Sequence, residues 1–276
     1  MSQVVHPFSD KATAILKYEP IELNGLVYYP LKVMDYEKWQ ATKPVLTLRQ
    51  GTLPAVYACM TFLQCVWALQ YDAEQAKGQG RTWDTLACLM FLSLRLSDKD
   101  MIQPIGNSND PRTITSIRIV KDGEQFDISA LEFAQVRKLI ADQNGAELPD
   151  EADNPDLIEA AEDILNQSDI HVKADFGDML TSVSSVRNIR RADLLEWSIK
   201  EFDDELRAIN RRYGFFLASI AQVQGAKFPK GNPHPTWIFD KEKDEFAGLI
   251  SMEKLSSDHH ASFIQSDSPP PKNITI

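Results

Sequence analysis

The strongest constraint on the fold is a run of apolar residues spaced four and three positions apart in the second half of the chain. Its members are Leu195, Ile199, Phe202, Leu206, Ile209 and Tyr213. Because an α-helix completes a turn every 3.6 residues, this spacing places all six side chains on one helix face. The pattern predicts an amphipathic helix over about 192–212. Weaker helix is expected to continue through residues 215–223 to Gly225, with a bend or break at Gly214. A coiled-coil seam with another copy would show the same spacing, but the short length favours burial in the chain's own core.

Two segments in the first third of the chain are apolar almost all round, which is typical of buried helices. The first covers 54–71, with Thr52 as a candidate N-cap. The second covers about 82–96. The first of them and a helix over 176–187, which Asp175 is expected to cap, are the expected neighbours of the amphipathic helix.

Short strands are predicted in two places by turn signals between residues that favour extended structure. Asn24-Gly25 divides the extended segment 21–33, and Asp122-Gly123 divides a strand over 113–120 from a return strand over 124–128. Residues 98–112 are expected to form a loop, because they are rich in proline, glycine and asparagine.

A helix is predicted directly after this β-hairpin. Ser129 and Glu132 have the spacing of a capping box, and Asn144-Gly145 is a typical helix end. The expected apolar face of the helix consists of Leu131, Val136, Leu139 and Ile140.

These elements predict a mainly α fold, a multi-helix globular domain with an embedded β-hairpin plus helix module and a short N-terminal strand pair. We expect four regions along the chain. They are 1–97 with the strand pair and apolar helices, 98–146 with the hairpin and its helix, a helical part at 147–250, and a polar tail at 251–276 that is expected to be disordered.

Composition argues against several classes of protein. The 276 residues include 29 Lys and Arg against 40 Asp and Glu, a net charge of −11, which disfavours a general nucleic-acid binder. The chain has no apolar run of about 18 residues and no basic and apolar leader, so neither a membrane span nor a secretory signal is expected. One basic cluster is assigned to ion pairs with nearby acids rather than to nucleic acid; it consists of Arg187, Arg190, Arg191, Arg207, Arg211 and Arg212.

No residues with the spacing of a catalytic, metal or cofactor site are found. The three cysteines, Cys59, Cys65 and Cys88, lie in apolar stretches and are expected to be free thiols in a reducing cytosol. None of the five histidines has a partner at metal-ligand spacing. The acidic segment 147–163 is interpreted as a linker leading into a helix capped by Asn154, in preference to a cation site. The sequence therefore predicts a protein that is not an enzyme; a cysteine- or metal-dependent enzyme is the disfavoured alternative.

Two groups of aromatic residues are candidates for binding a partner, because aromatic side chains are enriched at interface hot spots. The candidate partner-binding residues are Tyr28, Tyr29, Trp39, Trp237 and Phe239. Such residues also anchor loops to a protein's own core, and the sequence leaves both interpretations open.

Three stretches resemble a family of tail-module proteins of tailed bacteriophages and prophages. They are NGLVYYPLKVMDYEKW at 24–39, LPDEADNPDLIEAAEDI at 148–164, and residues 175–225 together with the loop GNPHPTWIFD at 231–240. In the family these correspond to an N-terminal signature, an acidic segment, and amphipathic helices followed by a GNP-x-P-W loop. The matching motifs are structural rather than catalytic.

The resemblance implies a non-enzymatic tail-assembly protein. Family members lie among tail genes near the tape-measure gene, which implies phage tail proteins as partners and a role as a chaperone for the tape-measure protein. A permanent part of the virion, in the neck or baseplate, is the alternative. The expected location is the cytoplasm of the bacterial host, or the virion. No cofactor and no catalytic residues follow from the resemblance.

Overall fold

The computed structural model describes residues 4–57, 59–78, 80–149 and 175–228, all within one compact unit of the chain. The helices of this part are α1 (Lys11–Leu16), α2 (Tyr36–Leu46), α3 (Phe62–Gln75), α4 (Thr82–Leu94), α5 (Ala130–Gln143), α6 (Phe176–Arg187), α7 (Arg191–Leu194) and α8 (Ile199–Val223). The strands are β1 (His6–Pro7), β2 (Ile21–Leu23), β3 (Leu26–Tyr28), β4 (Met101–Ile105), β5 (Ser116–Lys121) and β6 (Glu124–Ser129). The prediction of a mainly α fold is confirmed.

The predicted N-terminal strand pair is present as β2 and β3. They pair antiparallel around Asn24-Gly25, where both residues have positive φ angles of 55° and 75°. Asparagine and glycine tolerate this left-handed conformation better than other residues, which is why the dipeptide marks the turn. β1 pairs parallel with β2 and is the third strand of this sheet. It has only two residues, which is too short for a strand pattern to be recognised in the sequence.

The second sheet contains the predicted hairpin and one strand that the sequence analysis missed. β5 and β6 pair antiparallel around Asp122-Gly123, as expected. β4 pairs with the other side of β5, so the prediction of a loop throughout 98–112 is wrong. The strand was not predicted because Pro104 lies within it, and proline is rare in strands. Proline is tolerated here because β4 lies at the edge of the sheet, where a missing N–H costs little.

The capping box at the start of α5 is confirmed. The Ser129 side chain accepts a hydrogen bond from the Glu132 N–H, and the Glu132 carboxylate accepts one from the Ser129 N–H at 2.9 Å. Gly145 follows the helix end with a φ of 68°. Leu131, predicted to lie on the apolar face, is instead 84% exposed. It occupies the second position of the helix, which points away from the core.

The predicted start of the first apolar helix is wrong. Residues 55–57 form a single 3-10 turn, and α3 begins only at Phe62. Thr61 rather than Thr52 caps the helix, because Gln64 completes a capping box with it. The second apolar helix, α4, begins as predicted and ends at Leu94, because Arg95 adopts a left-handed conformation.

The cysteines do not share one environment. Cys65 is buried, in agreement with its apolar setting, but Cys59 and Cys88 are exposed. Apolar neighbours in sequence therefore did not predict burial for these two thiols, because each lies on the outer side of its segment.

Most buried residues form one large core that joins both sheets to α2, α3, α4 and α5. A smaller cluster surrounds the first half of α8. Its buried members are Val33, Val183, Leu194, Phe202 and Ile209. The prediction that α6 packs on α8 is confirmed, since Val183 belongs to α6. α3 was expected to be a second neighbour of the amphipathic helix. It shares the large core with Ile199, the first residue of α8, but no described residue of α3 belongs to the cluster around Phe202.

Several predictions concern residues outside the described ranges. They are the helix cap at Asn154 and nearly all of the acidic segment 147–163, the aromatic residues Trp237 and Phe239, and the polar tail 251–276.

Candidate partner-binding surface

The longest helix, α8, supplies the candidate surface. Its N-cap is Ser198, whose side chain accepts a hydrogen bond from the Glu201 N–H at 3.1 Å. The helix has 25 residues, so it is about 37 Å long. The predicted continuation of the helix beyond Gly214 is confirmed, and no break occurs at that residue. An internal glycine costs a helix about 1 kcal/mol, and the long helix on both sides absorbs that cost.

The beginning of α8 is fixed to the segment that follows β3. The Ile199 N–H donates to the Leu31 carbonyl at 2.9 Å, and the Val33 N–H donates to the Trp197 carbonyl at the same distance. Lys32 and Ser198 form an antiparallel bridge between these two hydrogen bonds. The position of α8 on the core is therefore set by backbone pairing as well as by side-chain packing.

The apolar face of the first half of α8 is buried. Phe202 is completely buried and meets the ring of Phe176 edge to face, with 6.3 Å between ring centroids. Phe176 in turn stacks on Tyr36 of α2 at 4.5 Å. Ile209, about two helical turns after Phe202, is also buried. The predicted core role of the stripe is confirmed as far as this residue.

The same face of the second half of α8 is exposed. At about 100° per residue, positions 213, 216, 217, 220 and 223 fall on the helix side that carries Phe202 and Ile209. Their exposed fractions are 55% for Tyr213, 53% for Phe216, 67% for Leu217, 54% for Ile220 and 89% for Val223. We call these five side chains the exposed α8 face. The prediction that Tyr213 is buried with the rest of the stripe is wrong.

The length of the covering helix accounts for part of this change. α6 has 12 residues and measures roughly 18 Å, about half the length of α8. Its apolar residues pack around Phe202, in the first half of α8.

The two halves of α8 also differ in charge. Residues 199–205 include four acids and one base, whereas residues 206–228 include four bases and no acid. Two of the bases, Arg207 and Arg212, are exposed. Of the four bases, Arg212 lies beside the exposed α8 face and Lys227 follows the end of the helix. Arg207 lies on another side of the helix, near Asp203. The charge beside this apolar face is therefore positive, in a chain whose net charge is −11.

The acidic half is engaged in contacts within the molecule. Asp204 accepts hydrogen bonds from Lys200 at 2.8 Å and from the Tyr18 hydroxyl at 3.3 Å. Burial, reinforced by the nearby Asp204 carboxylate, raises the pKa of Tyr18 to about 12. Burial also raises the pKa of Asp203 and of Glu201 above the ordinary carboxyl range. The acidic residues of this half therefore contribute to packing and hydrogen bonding within the molecule.

The aromatic residues that were predicted to bind a partner are not gathered at one surface. Tyr28 and Trp39 are buried in the large core, so neither side chain is available at the surface. Tyr29 is half-buried and lies against the Arg95 guanidinium, 3.9 Å from the ring centroid. Trp237 and Phe239 lie outside the described residues.

Sequence analysis missed four of the five residues of the exposed α8 face. Phe216, Leu217, Ile220 and Val223 continue the spacing of the buried stripe beyond Gly214. That continuity was the available signal, and it went unused because the apolar stripe was followed only as far as Tyr213, next to the expected bend or break at Gly214.

The basic cluster contributes ion pairs at its beginning. Arg187 donates to the Glu205 carboxylate at 2.5 Å, and Arg190 makes a two-fold contact with the Asp193 carboxylate at 2.9 and 3.0 Å. These contacts agree with the interpretation of local pairing with acids.

The part of the chain that the structure describes contains neither a grouped set of metal ligands nor a helix fit to span a membrane. Within 4–57, 59–78, 80–149 and 175–228, no three His, Cys, Asp or Glu side chains are grouped so that they could hold a metal ion. In the same ranges, no helix combines the length and the apolar character needed to cross a bilayer.

Comparison with known proteins adds no relative to this description. No family model, no curated protein and no solved structure matches the chain.

Proposed function

We propose that the chain is a non-enzymatic tail-assembly protein of a tailed bacteriophage that acts as a chaperone for the tape-measure protein. The observation that carries the proposal is the exposed α8 face, an apolar strip on a rigid helix. Clustered exposed apolar side chains of this kind mark protein interaction sites. The phage assignment depends on the resemblance of residues 24–39, 148–164, 175–225 and 231–240 to the tail-module family.

The size of the surface suits a partner that is held and later released. From Tyr213 to Val223 the strip spans about 15 Å of helix. A strip of this length buries less than the roughly 1,000 Å² at the low end of stable interfaces, which is typical of transient contacts. A tape-measure chain is long, helical and apolar, and it needs such contacts only until the tail is built around it.

Mass spectrometry of purified virions tests the chaperone role. The virions come from the phage or prophage that encodes this chain, and the infected-cell lysate serves as the positive control. We expect the protein in the lysate and its absence from the virions. A constant number of copies in every virion would favour the alternative, a permanent neck or baseplate component.

A paired substitution in the same phage tests the surface. Leu217→Glu places a charge in the centre of the exposed α8 face, and Leu131→Glu places the same charge on an equally exposed leucine of α5. We expect Leu217→Glu to prevent tail formation in electron micrographs and to leave the tape-measure protein insoluble. Leu131→Glu should assemble normal tails. Normal tails from both variants would contradict the proposal.

A further inference from the structure

We infer that the exposed α8 face binds an amphipathic helix whose apolar side is bordered by acidic residues. The inference rests on the proposed function for one premise, that this face binds a protein. It adds the chemistry of the segment that is recognised, which the resemblance to a phage family does not supply.

The geometry of the face favours a helical occupant. Tyr213, Phe216, Leu217, Ile220 and Val223 follow one another at intervals of three, one, three and three residues. This spacing forms a single strip along the helix, and a second helix with apolar residues at three- and four-residue intervals packs along such a strip. An extended strand would present alternating side chains to it and would leave its own backbone groups unpaired against the apolar surface.

The charge at the border of the face requires acidic residues on the occupant. Arg212 is exposed beside the strip, and the exposed Lys227 follows the end of the helix. Because residues 206–228 contain no acid, no negative charge of this segment is available to them. Carboxylates on the borders of the partner helix would supply complementary charge, which speeds association and selects among partners.

The same charges argue against two other occupants. A second copy of the chain would bring two segments with four bases each against one another, and like charges at an interface are repulsive. An anionic membrane is held by clusters of four or more bases, whereas only Arg212 and Lys227 lie beside this face or directly after it. An acidic helix satisfies both the apolar strip and its basic border.

Two designed peptides test the inference with the full chain. Both are 18-residue helices with leucine at three- and four-residue intervals; one carries glutamate at the bordering positions and the other lysine. Fluorescence anisotropy of the labelled peptides measures their affinity. We expect the glutamate peptide to bind roughly tenfold more tightly than the lysine peptide. The difference should shrink in high salt, because these charges are exposed.

Three variants locate the binding. Leu217→Glu should weaken the glutamate peptide by about tenfold or more, since it buries a charge in the strip. Arg212→Glu should weaken the binding of the glutamate peptide and strengthen the binding of the lysine peptide. Leu131→Glu should change neither. Circular dichroism melts of each variant separate lost binding from lost folding, and all three substituted residues are exposed.

Every other outcome overturns the inference. Equal binding of the two peptides, or binding of neither, rejects an acidic helix. A concentration-dependent dimer in sedimentation that Leu217→Glu abolishes would make a second copy the occupant. Flotation with phosphatidylglycerol vesicles, lost in Leu217→Glu, together with no peptide binding, would make a membrane the occupant.

The outcome is distinguishable from a failure of the proposed function. If Leu217→Glu prevents tail assembly but both peptides bind equally, the function stands and the acidic helix is rejected. If Leu217→Glu phage build normal tails but the glutamate peptide binds selectively, the recognition stands and the tail role of this face is rejected.

Discussion

The two halves of α8 carry the same apolar pattern and use it differently. In the first half the stripe is buried, with Phe202 enclosed by α6 and by the segment after β3. In the second half the stripe continues on the same side of the helix, but from Tyr213 onward its side chains are exposed. The acids lie beside the buried part and the bases beside the exposed part.

This difference shows what helical periodicity does and does not determine. Spacing fixes which side chains share a face, because it follows from the 3.6-residue turn. It does not fix what covers that face, which depends on the lengths and positions of other elements. A continuous stripe on one helix can therefore be buried in the core at one end and exposed at the other.

Substitution of phenylalanine in each half should give the largest contrast. Phe202→Ala should reduce the free energy of unfolding by about 3–5 kcal/mol, because it leaves a cavity in a closed cluster. Phe216→Ala should reduce it by less than about 1 kcal/mol, because much of that ring is already in water. Urea melts of both variants beside the parent measure the difference. Equal losses would show that the two halves are packed alike.

Removal of Asp204 tests whether the acidic half serves the fold. Asp204 accepts hydrogen bonds from Lys200 and Tyr18 while remaining partly exposed. For an aspartate on a helix surface without such contacts, replacement by alanine would reduce the free energy of unfolding by less than about 0.5 kcal/mol. With these contacts present, we expect a loss of about 0.5–1.5 kcal/mol in the same urea melts. A Tyr18→Phe, Asp204→Ala double-mutant cycle should show coupling between the two residues, and strict additivity would contradict the contact.

Alkaline pH should lower the free energy of unfolding through Tyr18, which contacts the first half of α8. In the unfolded chain a tyrosine loses its proton near pH 10, whereas in the folded protein the pKa of Tyr18 is raised to about 12. Between these values the unfolded chain holds fewer protons, so the free energy of unfolding falls as pH rises. Tyr28 and Tyr57, whose pKa values are also raised, act in the same direction. In melts from pH 9 to pH 11.5, the free energy of unfolding should decline less steeply for Tyr18→Phe than for the parent. An equal decline in both proteins would show that Tyr18 does not contribute to the pH dependence.

The smallest expected effect is on the stability of the exposed half. Leu217→Glu should change the free energy of unfolding by less than about 0.5 kcal/mol, because the side chain is mostly in water and the helix accepts glutamate. Leu131→Glu is the matched control. A loss above about 2 kcal/mol in Leu217→Glu alone would mean that Leu217 belongs to a packed core.

Local signals in the sequence predicted much of the fold. The capping box of Ser129 and Glu132 and the turns at Asn24-Gly25 and Asp122-Gly123 formed as expected, since each depends on residues adjacent in the chain. The wrong predictions concern places where two residues could cap the same helix, or where a segment pairs with another that is distant in the sequence. Thr61 outcompeted Thr52 as a helix cap, and β4 formed in spite of Pro104 because it could pair with β5.

The candidate site was less predictable than the fold. Tyr28 and Trp39 are aromatic residues that look equally suited to an interface and to a core, and only the packing of the large core around them decides between the two. The residues of the exposed α8 face could have been proposed from their spacing, but their exposure could not. It depends on where α6 ends, which is a property of the assembled structure.

Co-purification of this chain with the tape-measure protein of the same phage tests the central claim most directly. Both proteins are expressed together, and the soluble complex is measured for the parent, Leu217→Glu and Leu131→Glu, each with its melting temperature. We predict that Leu217→Glu melts like the parent but no longer keeps the tape-measure protein in solution, while Leu131→Glu behaves like the parent in both respects. An undiminished complex with Leu217→Glu would contradict the account.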